Sequence, residues 1–377
     1  MMSSISKYIV FILVGVFCLT GSKPLVAQES PALLKAKKDA EAKGYTFIAS
    51  RDEIIAEAKK EGQVRVLSAM NSSTFPPMVK AFKHKYPFLD LYMEEITGSD
   101  SAQRFLLELQ AGMTGNWDVF RISTDFYDKL AVHAKKIDLL GMAEHGVLQI
   151  PRKMIDARYR DIIHGGSAIA SAAYNKELIS AEQVPDTWED FLKPEFKGRK
   201  FLVDIRPLNF APFGATLGEE WLLNYARRIK EQQPIWVRGH ARGITAIVGG
   251  EYALYQLTNY HTCMRAQRRD PKRVLVCKLV EPVPVRLSVQ QGIIKNAPRP
   301  YSAILFLEFL ASPEVQKILD DEEPLKSSIY APDSELEKVT RGRKVAVMDT
   351  FEHTDRWVKK TVEAFGFPRA ERLKGKK

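Results

Sequence analysis

Between Val64 and Ile122 the chain alternates strand and helix patterns in an order that leaves few folds open. Val64–Ser68 is an apolar strand and Ala69–Thr74 a loop. Pro76–Tyr86 has helical spacing, stopped by Pro87, and Leu89–Ile96 is a second strand. Ser101–Gly112 is amphipathic, with Phe105, Leu106 and Leu109 on one face, and Asp118–Ile122 is a third strand. A βαβαβ order predicts an α/β fold, with a parallel sheet covered by helices. Ligands of such sheets lie beyond the carboxyl ends of the strands, which points to Ala69–Thr74, Thr97–Ser101 and Arg121–Asp125.

A second α/β set follows. Strands are expected at Ala168–Tyr174 and Lys200–Asp204, and helices at Ala211–Gln232, Gly243–Gly249 and Tyr252–Gln267. Beyond them come strand Arg273–Val280, a proline-containing stretch at Glu281–Arg286, strand Gln291–Lys295 and the Leu- and Phe-dense helix Pro300–Ala311. At 377 residues, 45% of them hydrophobic, the chain can fill two cores. No fixed-period repeat is present.

The N-terminus has its own logic. Lys7, the apolar run Tyr8–Leu19 and the small residues up to Ala27 match a secretory signal, and the run is too short to span a bilayer. Export is therefore expected, with residues 1–27 removed. Residues 28–61 form a helical extension. The mature chain keeps Cys263 and Cys277. Their spacing suits neither a CxxC redox motif nor a zinc site. They are either two separate buried thiols or a bridge from a helix to the following strand; oxidised protein is expected to carry the bridge.

The formal charge is +10. The cations are scattered except at Arg265–Lys278 and Arg369–Lys377, where a solvated face accounts for them. No recognition helix with interleaved aromatics accompanies them, so nucleic acid is not an expected partner. There is no GxSxG, HExxH, Walker A or GxGxxG motif. Neither an enzyme nor a resident cofactor is expected; a secreted hydrolase is the minor alternative.

The segment Tyr174–Arg199 narrows the reading further. Tyr174-Asn175, then Pro185-Asp186-Thr187-Trp188-Glu189-Asp190-Phe191, then Pro194-Glu195-Phe196-Lys197-Gly198-Arg199 resembles a stretch of the extracellular solute-binding proteins that serve ABC importers, in their iron(III)-type branch. Glu61-Gly62-Gln63-Val64, Trp117-Asp118-Val119, Gly250-Glu251 and Asn296-Ala297-Pro298 followed by Phe309–Gln316 extend the resemblance from about Gly62 to Ile329. It implies a type 2 periplasmic-binding-protein clamshell. Residues 62–165 and 290–340 would form one lobe, and residues 166–289 and 341–377 the other. It also implies a monomer that hands a solute to an importer permease, or a ligand sensor for a membrane receptor.

Iron binders of that branch use a tandem Tyr-Tyr. Here the matching positions are Tyr260 and His261, and the loop at Ala69–Ser72 lacks a metal-binding side chain. Ferric ion prefers oxygen donors, so a small anionic solute is the expected ligand and ferric iron on Tyr260 and His261 the alternative. Ser72, Ser73 and Thr74 open a helix and offer hydroxyls. Arg121 and Ser123 follow a first-lobe strand, while Arg206 and Arg238 stand in second-lobe strand-end loops. Guanidinium binds carboxylate or phosphate bidentately, so these residues with Tyr260 and His261 form the expected ligand set.

Overall fold

The computed structural model describes residues 30–366; the expected signal segment lies outside them. The chain opens with α1 (Pro31–Ala42) and α2 (Arg51–Glu61), the latter ended by Gly62 in a left-handed conformation. The first α/β set comprises β1 (Gln63–Ser68), α3 (Phe75–Lys85), β2 (Asp90–Glu95), α4 (Ser99–Gln110) and β3 (Val119–Arg121). Two short helices follow, α5 (Tyr127–Ala131) and α6 (Leu139–Glu144), then the long strand β4 (Ile162–Asn175).

The second set comprises β5 (Leu202–Asp204), α7 (Ala211–Leu217), α8 (Glu219–Glu231), β6 (Ile235–Val237), α9 (His240–Val248), β7 (Leu254–Asn259), α10 (Tyr260–Arg269) and β8 (Leu275–Lys278). The chain returns through β9 (Val283–Ile293), α11 (Pro300–Leu310), α12 (Pro313–Glu322), α13 (Glu335–Thr340), β10 (Val345–Met348) and α14 (Thr354–Phe365).

The strand order β2-β1-β3-β9-β4-β7-β5-β6, with β10 on β9 and β8 on β4, resolves into two sheets that share β4. Residues Ile162–Ile169 of β4 pair antiparallel with β9, whereas Ala170–Tyr174 pair with β7 and Ala172–Asn175 with β8. On one side β1, β2 and β3 run parallel; on the other β5 runs parallel to β6 and β7. The architecture is the expected α/β clamshell of two lobes, and all of β4 is buried where it crosses between them.

Three carboxylates fasten the first lobe. Glu61 accepts the Tyr301 and Ser302 amides at the start of α11, at 3.2 and 2.6 Å. The nearly buried Glu308 on α11 lies 2.5 Å from Arg51 of α2 and accepts the Gln149 amide at 2.7 Å. Asp118 holds Arg299 at 2.8 Å. These contacts make α2 part of the lobe's packing. A buried carboxylate is tolerated only when paired and hydrogen-bonded, as the buried Glu308 and Asp118 are. Between them α11 buries Leu305, Phe306, Leu307, Phe309 and Leu310, each worth up to about 1.5–3 kcal/mol.

Three expectations need correction. The stretch expected as helix Tyr252–Gln267 is strand β7 followed by helix α10, which starts only at Tyr260. Leu254–Thr258 are buried between β4 and β5, and this central position overrides the helical pattern. The helix expected over Ala211–Gln232 breaks at Gly218, whose φ of 93° ends α7 before α8 begins. Glu281–Arg286 and Gln291–Lys295 are not separate pieces, because β9 runs through most of both. Cys263 on α10 and Cys277 on β8 are bridged, with their Cα atoms 6.1 Å apart.

Candidate functional site

The carboxyl ends of β1, β2 and β3 face those of β5, β6 and β7 across a cleft. A cavity of about 790 Å³ there is lined by Asn71 and Ser73 from one lobe and by Thr245, Thr262 and Arg265 from the other. Tyr260 and His261 occupy the first turn of α10, beside Asn259.

The expected ligand residues divide into two groups. Arg121 donates to the Ile96 and Gly98 carbonyls at 3.0 and 3.4 Å and reaches the Ser123 hydroxyl at 3.4 Å. It therefore braces the loop after β2, and the surrounding protein lowers its pKa by desolvation. Thr74 and Ser123 are buried. Ser72 and Ser73 are exposed, but their amides already serve Glu95 at 2.9 Å and Asn71 at 3.0 Å. The expected oxyanion cradle is occupied by the chain's own acceptors.

On the second lobe, Arg206 and Arg238 flank Asp204. That buried carboxylate accepts the Arg206 and Gly239 amides at 2.9 and 3.1 Å. Gly239 has a φ of 102°, and a Cβ there would stand 3.2 Å from the Arg206 guanidinium, so this turn favours glycine on two counts. Arg206 Nε is 3.5 Å from Asp204 and so partly neutralised, whereas Arg238 is exposed without an ion pair among the described residues. His240 lies 3.6 Å from the same carboxylate. Its pKa still falls to about 4, because enclosure, with Arg206 and Arg286, outweighs Asp204.

Three further cations join the site: Arg286 and Lys326, which sequence reading did not single out, and Arg265, which it took as part of a solvated face. Arg286 stands on β9 opposite Ala168 of β4, where the strands pass between the lobes. Its Nε donates to Asn209 Oδ1 at 3.3 Å, and Asn209 Nδ2 donates to Asn259 Oδ1 at 3.0 Å, which links the crossing strand to the start of α10. Lys326, on the connection after α12, lies 3.8 Å from Glu323, and Arg265 projects from α10. Enclosure lowers the pKa of Arg286 to about 10. Enclosure lowers that of Lys326 as well, and Arg286 and Arg265 add to the fall despite Glu323. His261 is held well below its ordinary value by enclosure, then by Lys326, Arg265, Arg286 and His240. Enclosure raises the Tyr260 phenol. At neutral pH this cluster therefore combines uncharged imidazoles and phenol with cations drawn from both sides of the crossing strands. The available signal was Arg286 itself, the one cation of strand β9 and flanked there by Val285 and Leu287.

Residues 116–350 match the family model described as bacterial extracellular solute-binding protein. The chain belongs to this family. The match spans the crossing strands, the cation cluster and the second α/β set, and ends before α14. Solved structures of solute-binding proteins share the fold. The iron- and citrate-bound IdiA (FutA) of Trichodesmium superposes with a TM-score of 0.60 at 18% identity, covering 80% of this chain and 99% of that one. The open ferric iron-binding protein A of Mannheimia haemolytica gives 0.62 at 17%, covering 81% and 98%. The substrate-binding protein of an ABC transporter from Agrobacterium tumefaciens gives 0.59 at 16%, covering 80% and 94%. No curated protein matches. Among the described residues, no group of three or more His, Cys, Asp and Glu side chains is arranged to hold a metal ion.

Proposed function

We propose that this solute-binding protein is exported, captures a small organic or phosphate-bearing anion between its lobes, and delivers it to the permease of an ABC importer as a monomer without catalysing a reaction. The observation that carries the anion is the convergence of Arg265, Arg286 and Lys326 around the uncharged His261. Cations held close together in an enclosed site repel one another and lower one another's pKa values, and an arriving anion relieves that repulsion. The lobes divide at residues 165/166 of β4 and 289/290 of β9. One comprises residues 62–165 and 290–340, with the helices before it, and the other residues 166–289 and the chain from 341. Closing the cleft excludes water and strengthens charge-assisted hydrogen bonds from both sides.

Ferric iron is the second reading. The neighbouring solved structures favour it, because they include ferric-binding proteins, one of them with iron and citrate bound. In this chain the oxygen donor for iron would be Tyr260, with His261 next to it.

Calorimetry and native mass spectrometry with citrate, inorganic phosphate and ferric chloride separate the two. The anion reading requires saturable citrate or phosphate binding without iron, weakened by Arg286→Ala. The ferric reading requires a visible phenolate-to-iron band that Tyr260→Phe abolishes. Stoichiometric iron binding with that band, and no anion binding without iron, overturns the proposal.

A further inference from the structure

Arg265, Arg268 and Arg269, expected on a solvated face, line the cleft cavity instead. With Thr262 they recur at the spacing of a single face of α10, and that face is turned to the first lobe. Ser73 and Glu322, at the end of α12, stand on the opposite wall. Arg265 is half-buried, while Arg268 and Arg269 are exposed. None of the three arginines has an ion pair among the described residues.

This row continues the inner cluster, because the Arg265 charge also acts on His261 and Lys326. The continuous set is Arg286, Lys326, Arg265, Arg268 and Arg269. Three carboxylates answer it. Glu323 lies 3.8 Å from Lys326, Glu322 lines the opposite wall, and the Asp125 charge acts on Arg286. Asp204 and Arg206, beside His240, offset each other. Five cations against three carboxylates leave an excess of two positive charges. That excess is spread along the cleft, since Arg268 and Arg269 lie one turn of α10 beyond Arg265, about 5 Å along the axis.

We infer that the cleft takes a small polyanion with at least two separate carboxylate or phosphate groups, one held by Arg286 and Lys326 and another by Arg265, Arg268 and Arg269. This rests on the anion reading of the cleft and deepens it. A ligand with one anionic group satisfies the inner cations and leaves the outer arginines repelling one another. A second group about one helical turn away answers them, and arginine can grip it with two parallel hydrogen bonds. Tethering the two groups makes the second contact intramolecular, so the pair binds far more tightly than either alone. Glu322 faces the same space and opposes a ligand with excess negative charge, which favours two anionic groups over many.

Calorimetry on chelator-treated protein tests it with two matched pairs, glutarate against butyrate and pyrophosphate against inorganic phosphate. In at least one pair the two-group ligand should bind about tenfold or more tighter than its one-group counterpart, and the pair that shows it distinguishes carboxylate from phosphate. Arg268→Ala/Arg269→Ala should abolish most of that ratio, whereas Arg286→Ala should weaken both members of the pair. Glu322→Gln should tighten the two-group ligand about twofold or more, a gain that a folding defect cannot produce. Affinities within about threefold in both pairs, or a ratio unchanged in both the arginine and the Glu322 variants, overturn this inference and leave the anion reading standing. Absence of binding by all four compounds overturns both.

Discussion

Gly165 and Val289 face each other at the rung missing from the β4–β9 ladder. The register pairs His164 with Gln290 and Gly166 with Ser288 and skips the residues between them. Val289 sits there at a φ of 53°, a left-handed conformation that a β-branched residue rarely adopts. The Gln290 side-chain amide reaches back across the kink to the Leu287 carbonyl at 2.8 Å. The neighbouring glycines allow close packing: a Cβ on Gly165 would meet the Leu310 side chain, and one on Gly166 the Lys326 carbonyl at 2.7 Å. The crossing strands are therefore kinked at one level, where the Lys326 carbonyl packs on Gly166 and accepts the Ser167 amide at 2.9 Å.

Gly166→Ala should destabilise the protein by about 1–3 kcal/mol, because the obstacle is a backbone carbonyl that cannot rotate away. Urea unfolding followed by fluorescence measures this. An unchanged midpoint would show that the strands yield easily at this level.

Arg286 and Arg121 should behave in opposite ways. Arg286→Ala should weaken anion binding by about 1.5–3 kcal/mol, the range for a charged hydrogen-bonding group, with little loss of stability. Arg121→Ala should lower stability by about 1–2 kcal/mol, because its guanidinium braces two carbonyls, and should affect binding less. Calorimetric titration and thermal melts of both variants check the contrast.

Much of this was legible in the sequence. The two α/β sets and the two-lobe architecture were written in the strand and helix patterns. Strands β1 and β2 and helices α1 to α3 lie close to their expected positions, since local punctuation by Gly62 and Pro87 fixes them. Strand β7 was hidden because Leu254–Asn259 runs straight into α10 without a turn, and only burial in the sheet distinguishes the two. Arg286 and Lys326 were hidden for another reason. They are far apart in sequence and become one cluster only through the return of the chain after β9.

Breaking the Cys263–Cys277 bridge should cost about 3 kcal/mol, the loop-closure value for a ring of this length. Denaturation with and without dithiothreitol reads the difference, and the Cys263→Ala/Cys277→Ala variant should match the reduced protein. Because α10 also carries Tyr260, His261 and Arg265, ligand affinity should fall along with stability.

Asp161 gives a pH signature. Burial, with Asp156 and Asp138 nearby, raises its pKa to about 8, and its Oδ1 has no hydrogen-bond partner. The folded protein thus holds a proton that the unfolded chain releases near pH 4, so this group's contribution falls as pH rises from about 4 to 8. Asp161→Asn should remove that fall and stabilise the protein at pH 8 relative to pH 5 by about 2–4 kcal/mol. Parallel stability curves for variant and parent would refute the assignment.

The wiring of the first lobe also sets an order of events. Among the described residues, strand β3 finds its second neighbour in β9, and α2 packs chiefly on α11. A chain emerging from its N-terminus therefore carries an unfinished first lobe through the whole of the second, and finishes it only once Leu310 is free. Until then Glu61 lacks the α11 amides it accepts, and Arg51 keeps the Tyr86 hydroxyl but lacks the Glu308 carboxylate.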